Sequence, residues 1–285
     1  MIEFRDFSFR YADSERYAAE DITMTVRDGD FVGITGHSGA GKTTIARAIS
    51  GIIPHCIKGD FYGSVIVDGL DTVENELTVL SKIVGSVCQD IDSAMVASDV
   101  EDEILYGLEN FGVPADEIEQ RVTDVLEEID ITELRNRKIN SLSGGQKQKV
   151  AIAAILALRP KILVLDEPTG ELDPESSRRI FSLLRSLSEK GITVIVVEQK
   201  IMLLCEFAKR LVLVDDGKII VDDTTENVLE NSRLLEECGV NCPRVVTLAN
   251  KLRASGIDGI STCTDTESTA EMLRGIMEKR GECHD

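Results

Sequence analysis

The sequence contains no apolar run near the roughly 18 residues that a membrane-spanning helix requires, and it is poor in basic side chains. Its 31 Lys and Arg residues stand against 51 Asp and Glu residues, which gives a net charge of -20 at pH 7. An acidic chain repels the phosphate backbone of DNA or RNA, so we expect no nucleic-acid partner. The first six residues also lack the basic and then apolar order of a signal peptide. These absences predict a cytosolic chain.

Disulfide pairing is not expected either. The seven cysteines are an odd number and show no repeated CxxC spacing, which argues against a disulfide framework. The 285 residues suffice for one large domain with an appendage, but they are too few for two complete nucleotide-binding domains.

A phosphate-binding loop is present at residues 36–44, where GHSGAGKTT fills every fixed position of the G-x-x-x-x-G-K-[ST] pattern. Glycines let consecutive backbone N–H groups turn toward one anion, the lysine adds a positive charge, and the threonine hydroxyl can bind Mg²⁺. The loop lies between a predicted buried strand and a predicted helix whose N-terminus faces the phosphates. The predicted nucleotide-binding residues are Gly36, His37, Ser38, Gly39, Ala40, Gly41, Lys42, Thr43 and Thr44.

Further buried strands are predicted at residues 83–88, 161–165 and 192–197, because each is a short apolar run typical of a parallel sheet. Residues 2–10 and 22–26 alternate between apolar and polar side chains, which predicts an antiparallel layer ahead of that sheet. The predicted fold class is therefore α/β, with a P-loop NTPase core of the RecA-like type and an antiparallel β layer.

Two helical segments are predicted in addition to this core. Residues 100–134 show helical spacing and interrupt the alternation of strands and helices, so we predict an inserted helical subdomain at about residues 98–141. The end of the chain shows two short amphipathic helices. We place the nucleotide-binding domain at residues 1–232 and a small C-terminal helical extension at residues 233–285.

Polar side chains follow two of the predicted parallel strands, at the sheet edge where α/β proteins assemble their ligand sites. Gln89 follows the strand at residues 83–88, and it can reach a metal ion or its water. Asp166 and Glu167 follow the strand at residues 161–165. Asp166 is placed to hold Mg²⁺, and Glu167 is placed to polarise the attacking water as a general base.

A second anion-binding helix start is predicted at residues 142–146, which read LSGGQ. Ser143 can cap the following helix and leave a hydroxyl for an anion, while the glycines expose backbone N–H groups. Taken alone, a plain Ser-Gly-Gly capping turn explains this stretch better than a binding site does.

Together, GHSGAGKTT, Gln89, LSGGQ and ILVLDEPTGELD resemble the ATP-binding subunit of an ABC transporter over residues 1 to about 232. In that family, two such domains sandwich two ATP molecules head to tail. Tyr11 by itself is equally an edge aromatic or a ring that stacks on a base, and the resemblance implies that it stacks on adenine. The resemblance also implies that Gln89 lies in the loop that senses Mg²⁺ and the membrane partner.

The same resemblance implies roles for the remaining motif residues. Lys42 and Thr43 bind phosphate and Mg²⁺, Asp166 belongs to the metal shell, and Glu167 is the catalytic base. Ser143 and Gly145 contact the γ-phosphate bound by the partner chain, and Asp173 lies in the loop that crosses the dimer.

One residue departs from the family pattern. A histidine usually follows the last parallel strand and holds the γ-phosphate, but the matching position here is Gln199. Glutamine donates a hydrogen bond yet cannot become a cation, so we expect weaker stabilisation of the transition state. By analogy with an oxyanion donor, the loss is on the order of 2.7–4 kcal/mol, or 10²–10³ in rate. We therefore expect a slow or asymmetric ATPase in which Glu167 and Gln199 are the catalytic residues.

Residues 89–103, 51–55, 67–71 and 243–253 resemble the energy-coupling-factor branch of the family, which imports vitamins or cobalt and nickel ions. This implies a peripheral subunit on the cytoplasmic face of the cell membrane. The implied partners are a transmembrane coupling protein, a substrate-capturing membrane protein and a second ABC ATPase, which is either an identical chain or a paralogue. The C-terminal extension is either a helical cap or, as the branch implies, an element that holds the two ATPases together.

Two other functions remain as alternatives. A largely non-hydrolytic ATP-binding subunit, whose paralogue hydrolyses ATP, is favoured by Gln199 and opposed by the intact Glu167. A soluble ABC protein of translation or DNA repair is opposed by the single nucleotide domain, the acidic charge and the absence of a coiled-coil insertion.

Overall fold

A computed structural model describes residues 1–257, 259–261 and 266–281 of the chain. Its strands are, in chain order, β1 (Ile2–Tyr11), β2 (Ala19–Val26), β3 (Phe31–Thr35), β4 (Gly59–Val67), β5 (Leu70–Asp71), β6 (Val84–Val87), β7 (Ile162–Asp166), β8 (Thr193–Val197), β9 (Arg210–Asp215) and β10 (Lys218–Thr224). Its helices are α1 (Lys42–Ile49), α2 (Ile52–His55), α3 (Leu77–Leu80), α4 (Ile91–Ala94), α5 (Val100–Asn110), α6 (Ala115–Glu128), α7 (Gly144–Leu156), α8 (Pro174–Glu189), α9 (Ile201–Phe207), α10 (Thr225–Glu230), α11 (Ser232–Glu237), α12 (Arg244–Ala254) and α13 (Thr266–Gly281).

The central sheet has the strand order β10-β9-β3-β8-β7-β6. Strands β9, β3, β8, β7 and β6 are parallel to one another, and β10 pairs with β9 in the antiparallel direction. Every residue of β3 and β8 is buried, as expected for strands covered on both faces. The predicted α/β class and the predicted buried strands are therefore confirmed, and the carboxyl ends of β6, β7 and β8 lie side by side.

The predicted antiparallel layer is also present, with the strand order β2-β1-β4-β5. Helix α1 packs between the two sheets. Its buried Ile45 and Ile49 belong to the same apolar cluster as Phe4 and Phe9 of the antiparallel layer and Val164 of β7. The helix that follows the phosphate loop is thus fixed from both sides.

The two ends of the helical segment between β6 and α7 lie next to each other. Residue Asp99 forms a bridge with Lys138, and the N–H of Ile139 donates to the carbonyl of Ser98 at 2.9 Å. Helices α5 and α6 pack against α7 through buried residues such as Ile104. The segment predicted at residues 98–141 therefore begins and ends at neighbouring backbone positions.

Helices α11 and α12 pack on the core. Leu235 of α11 and Val246 of α12 are fully buried and belong to the apolar cluster beneath the central sheet. Helix α13 contacts α12. The junction predicted between the last two helices includes residue 258, which lies outside the described residues. Within the described part of the chain, no helix has the length and apolar content needed to cross a membrane.

Candidate nucleotide site

The phosphate loop connects β3 to α1 and is pressed against two other backbone segments. Gly41 has φ 106°, and a Cβ at this position would lie 2.1 Å from the carbonyl oxygen of Ala18. Gly36 has φ 153°, and a Cβ there would lie 2.1 Å from the carbonyl oxygen of Val214. Only glycine fits at these two positions, because any side chain would displace backbone. The sequence motif is thus explained by the packing of the loop.

Lys42 lies beneath the loop and is only 4% exposed. Its Nζ donates hydrogen bonds to the carbonyl oxygens of Gly36 at 2.9 Å and His37 at 2.8 Å. Burial lowers the pKa of Lys42, while the negative charges of Glu167 and Asp166 oppose that change. The ammonium group is therefore held by the same loop whose N–H groups would bind a phosphate.

The first residues of the loop are tied to other parts of the chain. Nε2 of His37 lies 3.1 Å from Oδ1 of Asp215, and Nδ1 lies 2.7 Å from the carbonyl oxygen of Ser38. Ala40 is fully buried. Gly239 of the C-terminal extension lies so close that its Cβ would be 3.3 Å from Cβ of His37. The extension therefore reaches the phosphate loop, which sequence reasoning did not predict.

Asp166 at the end of β7 has a buried oxygen, Oδ1, without a hydrogen-bond partner. Burial raises the pKa of Asp166, whereas a hydrogen bond from the Thr43 side chain lowers it and the charge of Glu167 raises it again. A buried carboxylate oxygen without a partner is costly, and a hard cation such as Mg²⁺ prefers oxygen ligands. The residues at this point therefore fit the cation that the sequence predicts.

Glu167 is held by two glutamine side chains. Nε2 of Gln89 donates to Oε2 of Glu167 at 2.9 Å, and Nε2 of Gln199 donates to Oε1. The backbone N–H of Glu167 donates to the carbonyl of Val197 at 2.8 Å, and the residue adopts the left-handed conformation with φ 51°. The ends of β6, β7 and β8 thus bring these three predicted site residues together beside Asp166.

Tyr11 at the end of β1 is connected to the helix that follows the phosphate loop. Its hydroxyl lies 3.0 Å from Oγ1 of Thr44, and Nη1 of Arg47 donates to it at 3.4 Å. Its ring contacts Phe9 edge-on, with 5.0 Å between ring centroids. The adenine-stacking role of Tyr11 stays a prediction.

The other predicted residues form a second group at the starts of α7 and α8. Ser143 and Gln146 make a capping box, in which Oγ of Ser143 accepts from the N–H of Gln146 at 3.3 Å and Oε1 of Gln146 accepts from the N–H of Ser143 at 3.0 Å. A Cβ on Gly145 would lie 3.1 Å from Ser176. The hydroxyl of Ser176 donates to Asp173 at 2.6 Å. Ser143, Gly145 and Asp173 are therefore close together, as one surface of the molecule.

Sequence reasoning missed two charged residues near Lys42 and Asp166. Arg47 is close enough for its positive charge to act on Asp166, and Glu198 is close enough to act on Lys42. Glu198 directly follows the buried strand β8 and is itself 2% exposed. A charged residue next to such a strand is the one signal in the sequence that could have identified it.

Three comparisons with known proteins identify the relatives of this chain. A family model described as ABC transporter matches residues 19–170. A putative ABC transporter ATP-binding protein of Pyrococcus abyssi (strain GE5 / Orsay) is 39% identical over 277 residues, which cover 97% of this chain and 99% of that protein. The energy-coupling factor transporter ATP-binding protein EcfA of Methanothermobacter thermautotrophicus is 36% identical, with 96% of this chain and 86% of that protein covered.

A similar fold is found among solved structures. The structure of cbiO1 from Clostridium perfringens, described as part of the ABC transporter complex cbiONQ, matches with a TM-score of 0.74 at 28% sequence identity. The match covers 87% of this chain and 97% of that chain.

Proposed function

The chain belongs to the family of ABC transporter ATPases, which bind and hydrolyse ATP, and from this premise we propose that it energises a membrane importer of the energy-coupling-factor type. The similarity to EcfA and to cbiO1 supports this branch. The transported solute would be a vitamin or a transition-metal ion. The observation that carries ATP hydrolysis in this proposal is the position of Glu167, which is held by two amides and whose charge acts on Lys42 of the phosphate loop.

In the proposed mechanism, the loop N–H groups and Lys42 bind the β- and γ-phosphates of ATP. Thr43, Asp166 and Gln89 would hold Mg²⁺, which neutralises the charge that develops on the phosphate oxygens. Glu167 orients the attacking water and accepts its proton as a general base.

The amides around Glu167 have a positioning role in this mechanism. Gln89 and Gln199 each donate to one of its oxygens, and this fixes the direction in which the carboxylate faces. Because the donors are neutral, they hold the base without placing a cation beside the γ-phosphate.

We infer that two ATPase subunits assemble head to tail. The group formed by Ser143, Gly145 and Asp173 lies at the starts of α7 and α8, and we assign it to the phosphates bound by the partner. The C-terminal extension at residues 233–285 is the proposed dimerisation element. The partner is an identical chain or a paralogue.

The proposed contact with the membrane subunits lies a few residues after Gln89 in the chain, where residues 96 and 97 lead into the helical segment at residues 98–141. A groove there is lined by Val96, Ala97, Asp102, Leu105, Tyr106 and Glu109. Val96 is 64% exposed and Tyr106 is 50% exposed, so the groove offers apolar side chains that a partner could cover. We propose that the transmembrane coupling subunit docks here, so that the chain lies on the cytoplasmic face of the membrane.

A second candidate function rests on Gln199. In place of the usual histidine, this residue favours a subunit that binds ATP but leaves most hydrolysis to a paralogue. The two functions differ in whether Glu167 is needed for turnover.

The test is the steady-state ATPase rate of the purified complex that contains this chain. Glu167→Gln should abolish hydrolysis by this subunit and leave ATP binding intact. Glu74→Gln is the matched control, because Glu74 is an exposed glutamate in the loop between β5 and α3, outside the candidate site. If Glu167→Gln and Glu74→Gln hydrolyse ATP equally well while both bind ATP, the non-hydrolytic function replaces the proposed one.

A further inference from the structure

Glu198 is a buried carboxylate that accepts three hydrogen bonds. It is 2% exposed at the end of β8. Its Oε2 accepts a hydrogen bond from the hydroxyl of Thr169 at 2.6 Å. Its Oε1 accepts from the backbone N–H groups of Gln199 at 2.9 Å and Lys200 at 3.1 Å. A buried charge is tolerated only when it is paired in this way.

These hydrogen bonds join two loops of the candidate site. Thr169 lies in the loop between Glu167 and Asp173, whereas Gln199 and Lys200 lie in the loop between β8 and α9. A second connection comes from Lys200, whose Nζ donates to the carbonyl oxygen of Thr169. The loop that follows the candidate base is therefore fastened to the loop that carries Gln199.

The hydrogen bonds to Glu198 hold the backbone of Gln199 in place, and this sets the direction of its side chain. Because Glu198 accepts from the N–H of Gln199, that residue cannot rotate freely, and its Nε2 is aimed at Oε1 of Glu167. In other proteins, replacing buried charged groups by apolar residues of similar volume is often neutral or stabilising, so fold stability alone does not account for this carboxylate and hydroxyl. What the polar pair adds is a fixed direction, since hydrogen bonds constrain geometry more narrowly than apolar contacts do.

We propose that Glu198 and Thr169 are positioning residues for ATP hydrolysis, which act by holding Gln199 against Glu167. The inference rests on the proposed function, in which Glu167 is the general base. It adds that the hydroxyl of Thr169 controls turnover although it acts on the reacting atoms only through other side chains.

The test compares two nearly isosteric substitutions in the full chain, within its purified complex. Thr169→Val removes the hydroxyl that donates to Glu198. Thr225→Val is the matched control, because Thr225 is also buried and its hydroxyl donates to the carbonyl oxygen of Ala208 at 2.6 Å, away from the site. The measurements are kcat, KM for ATP and the temperature of unfolding.

Thr169→Val is expected to lower kcat about tenfold, the scale of one hydrogen bond to a charged group, with KM within about twofold of the wild type. Thr225→Val should also lower the unfolding temperature, although by less because its partner is a neutral carbonyl, and it should leave kcat unchanged. Thr169→Ser keeps the hydroxyl and should restore most of the lost kcat. Equal kcat values for Thr169→Val and Thr225→Val would overturn the proposal.

A double-mutant cycle separates positioning from a general loss of structure. In a Gln199→Ala background, Thr169→Val should lower kcat no further, because the side chain that it positions is gone. Independent, multiplying losses would contradict the inference. A parallel Glu167→Gln variant separates failure of the proposed function from failure of this inference. If Glu167→Gln retains turnover, the proposed function fails. If Glu167→Gln loses turnover but Thr169→Val has the same kcat as Thr225→Val, only the role of Glu198 and Thr169 is overturned.

Discussion

The side-chain amide of Gln199 donates a hydrogen bond to one carboxylate oxygen of Glu167, while Gln89 donates to the other. The candidate base thus lies between two neutral donors that come from the ends of two different strands. A histidine at residue 199 could also be a donor, but in addition it could carry a positive charge toward the γ-phosphate. Gln199 preserves the orientation of the base and lacks that charge.

Substitution of Gln199 should therefore separate orientation from charge. Gln199→Ala is expected to lower kcat about tenfold, because Glu167 loses a donor. Gln199→His should raise kcat above the wild type, by up to about 10²-fold, because an imidazolium adds electrostatic stabilisation of the transition state. The measurement is the steady-state ATPase rate at saturating ATP.

The matched control for this prediction is Gln120→Ala. Gln120 is an exposed glutamine of α6 whose Nε2 likewise donates to a carboxylate, that of Asp124 at 2.7 Å. Its substitution should leave kcat unchanged. A Gln199→Ala variant as active as Gln120→Ala would show that the amide of Gln199 has no part in hydrolysis.

Asp166 is expected to stabilise the metal-bound protein and destabilise the metal-free one. Without Mg²⁺, Asp166→Asn should raise the free energy of unfolding at neutral pH by about 1 kcal/mol, because it removes a buried charge with an unpartnered oxygen. With MgATP, the wild type should gain more stability than the variant, since only the wild type binds the ion well. Thermal unfolding with and without MgATP measures both effects.

The pH dependence of this gain follows from the raised pKa of Asp166, which burial causes. A folded carboxyl with a raised pKa loses stability as the pH rises above the ordinary value of 3.8, so the advantage of Asp166→Asn is largest at neutral pH and disappears below pH 3.8. Asp223→Asn is the control, and it should destabilise the protein at neutral pH, because a hydrogen bond from Asn227 lowers the pKa of Asp223. A stabilised Asp223→Asn variant, or an Asp166→Asn variant without any gain, would contradict this account.

The parts of the site that could be predicted from the sequence are those set by local pattern. Continuous apolar runs identified β6, β7 and β8, and the chain order of parallel strands placed Gln89 and Glu167 at one sheet edge. The glycines of the phosphate loop were identified by spacing, although their reason, the close approach of Ala18 and Val214, became visible only in the fold.

The parts that could not be predicted depend on partners far apart in the chain. Thr169 and Glu198 are separated by 29 positions, and neither residue type by itself predicts a buried hydrogen bond. The contact of Gly239 with His37 joins the C-terminal extension to the phosphate loop across most of the chain. Such contacts follow from how the elements pack, and periodicity carries no information about them.

Lys42 is expected to decide ATP affinity. Lys42→Met keeps the aliphatic stem and removes the ammonium group, so the dissociation constant for ATP should rise about 10- to 100-fold, the scale of a hydrogen bond to a charged group. Lys149→Met is the matched control, because Nζ of Lys149 also donates to two backbone carbonyls, those of Ile129 and Asp130. Titration with a fluorescent ATP analogue measures both variants. Equal affinities of the two variants for ATP would show that Lys42 only stabilises the phosphate loop and does not bind the nucleotide.

Ser143 is expected to contribute to both folding and assembly, and the two contributions can be separated. Ser143→Ala removes the capping hydroxyl of α7 and should cost about 1 kcal/mol of stability. Thr224→Ala removes an equivalent exposed cap, that of α10, and should cost a similar amount. In a Glu167→Gln background with ATP present, light scattering should show loss of the dimer for Ser143→Ala alone, because only Ser143 is assigned to the partner's phosphates. If both variants dimerise equally, Ser143 is a helix cap and the head-to-tail arrangement loses its main support in this chain.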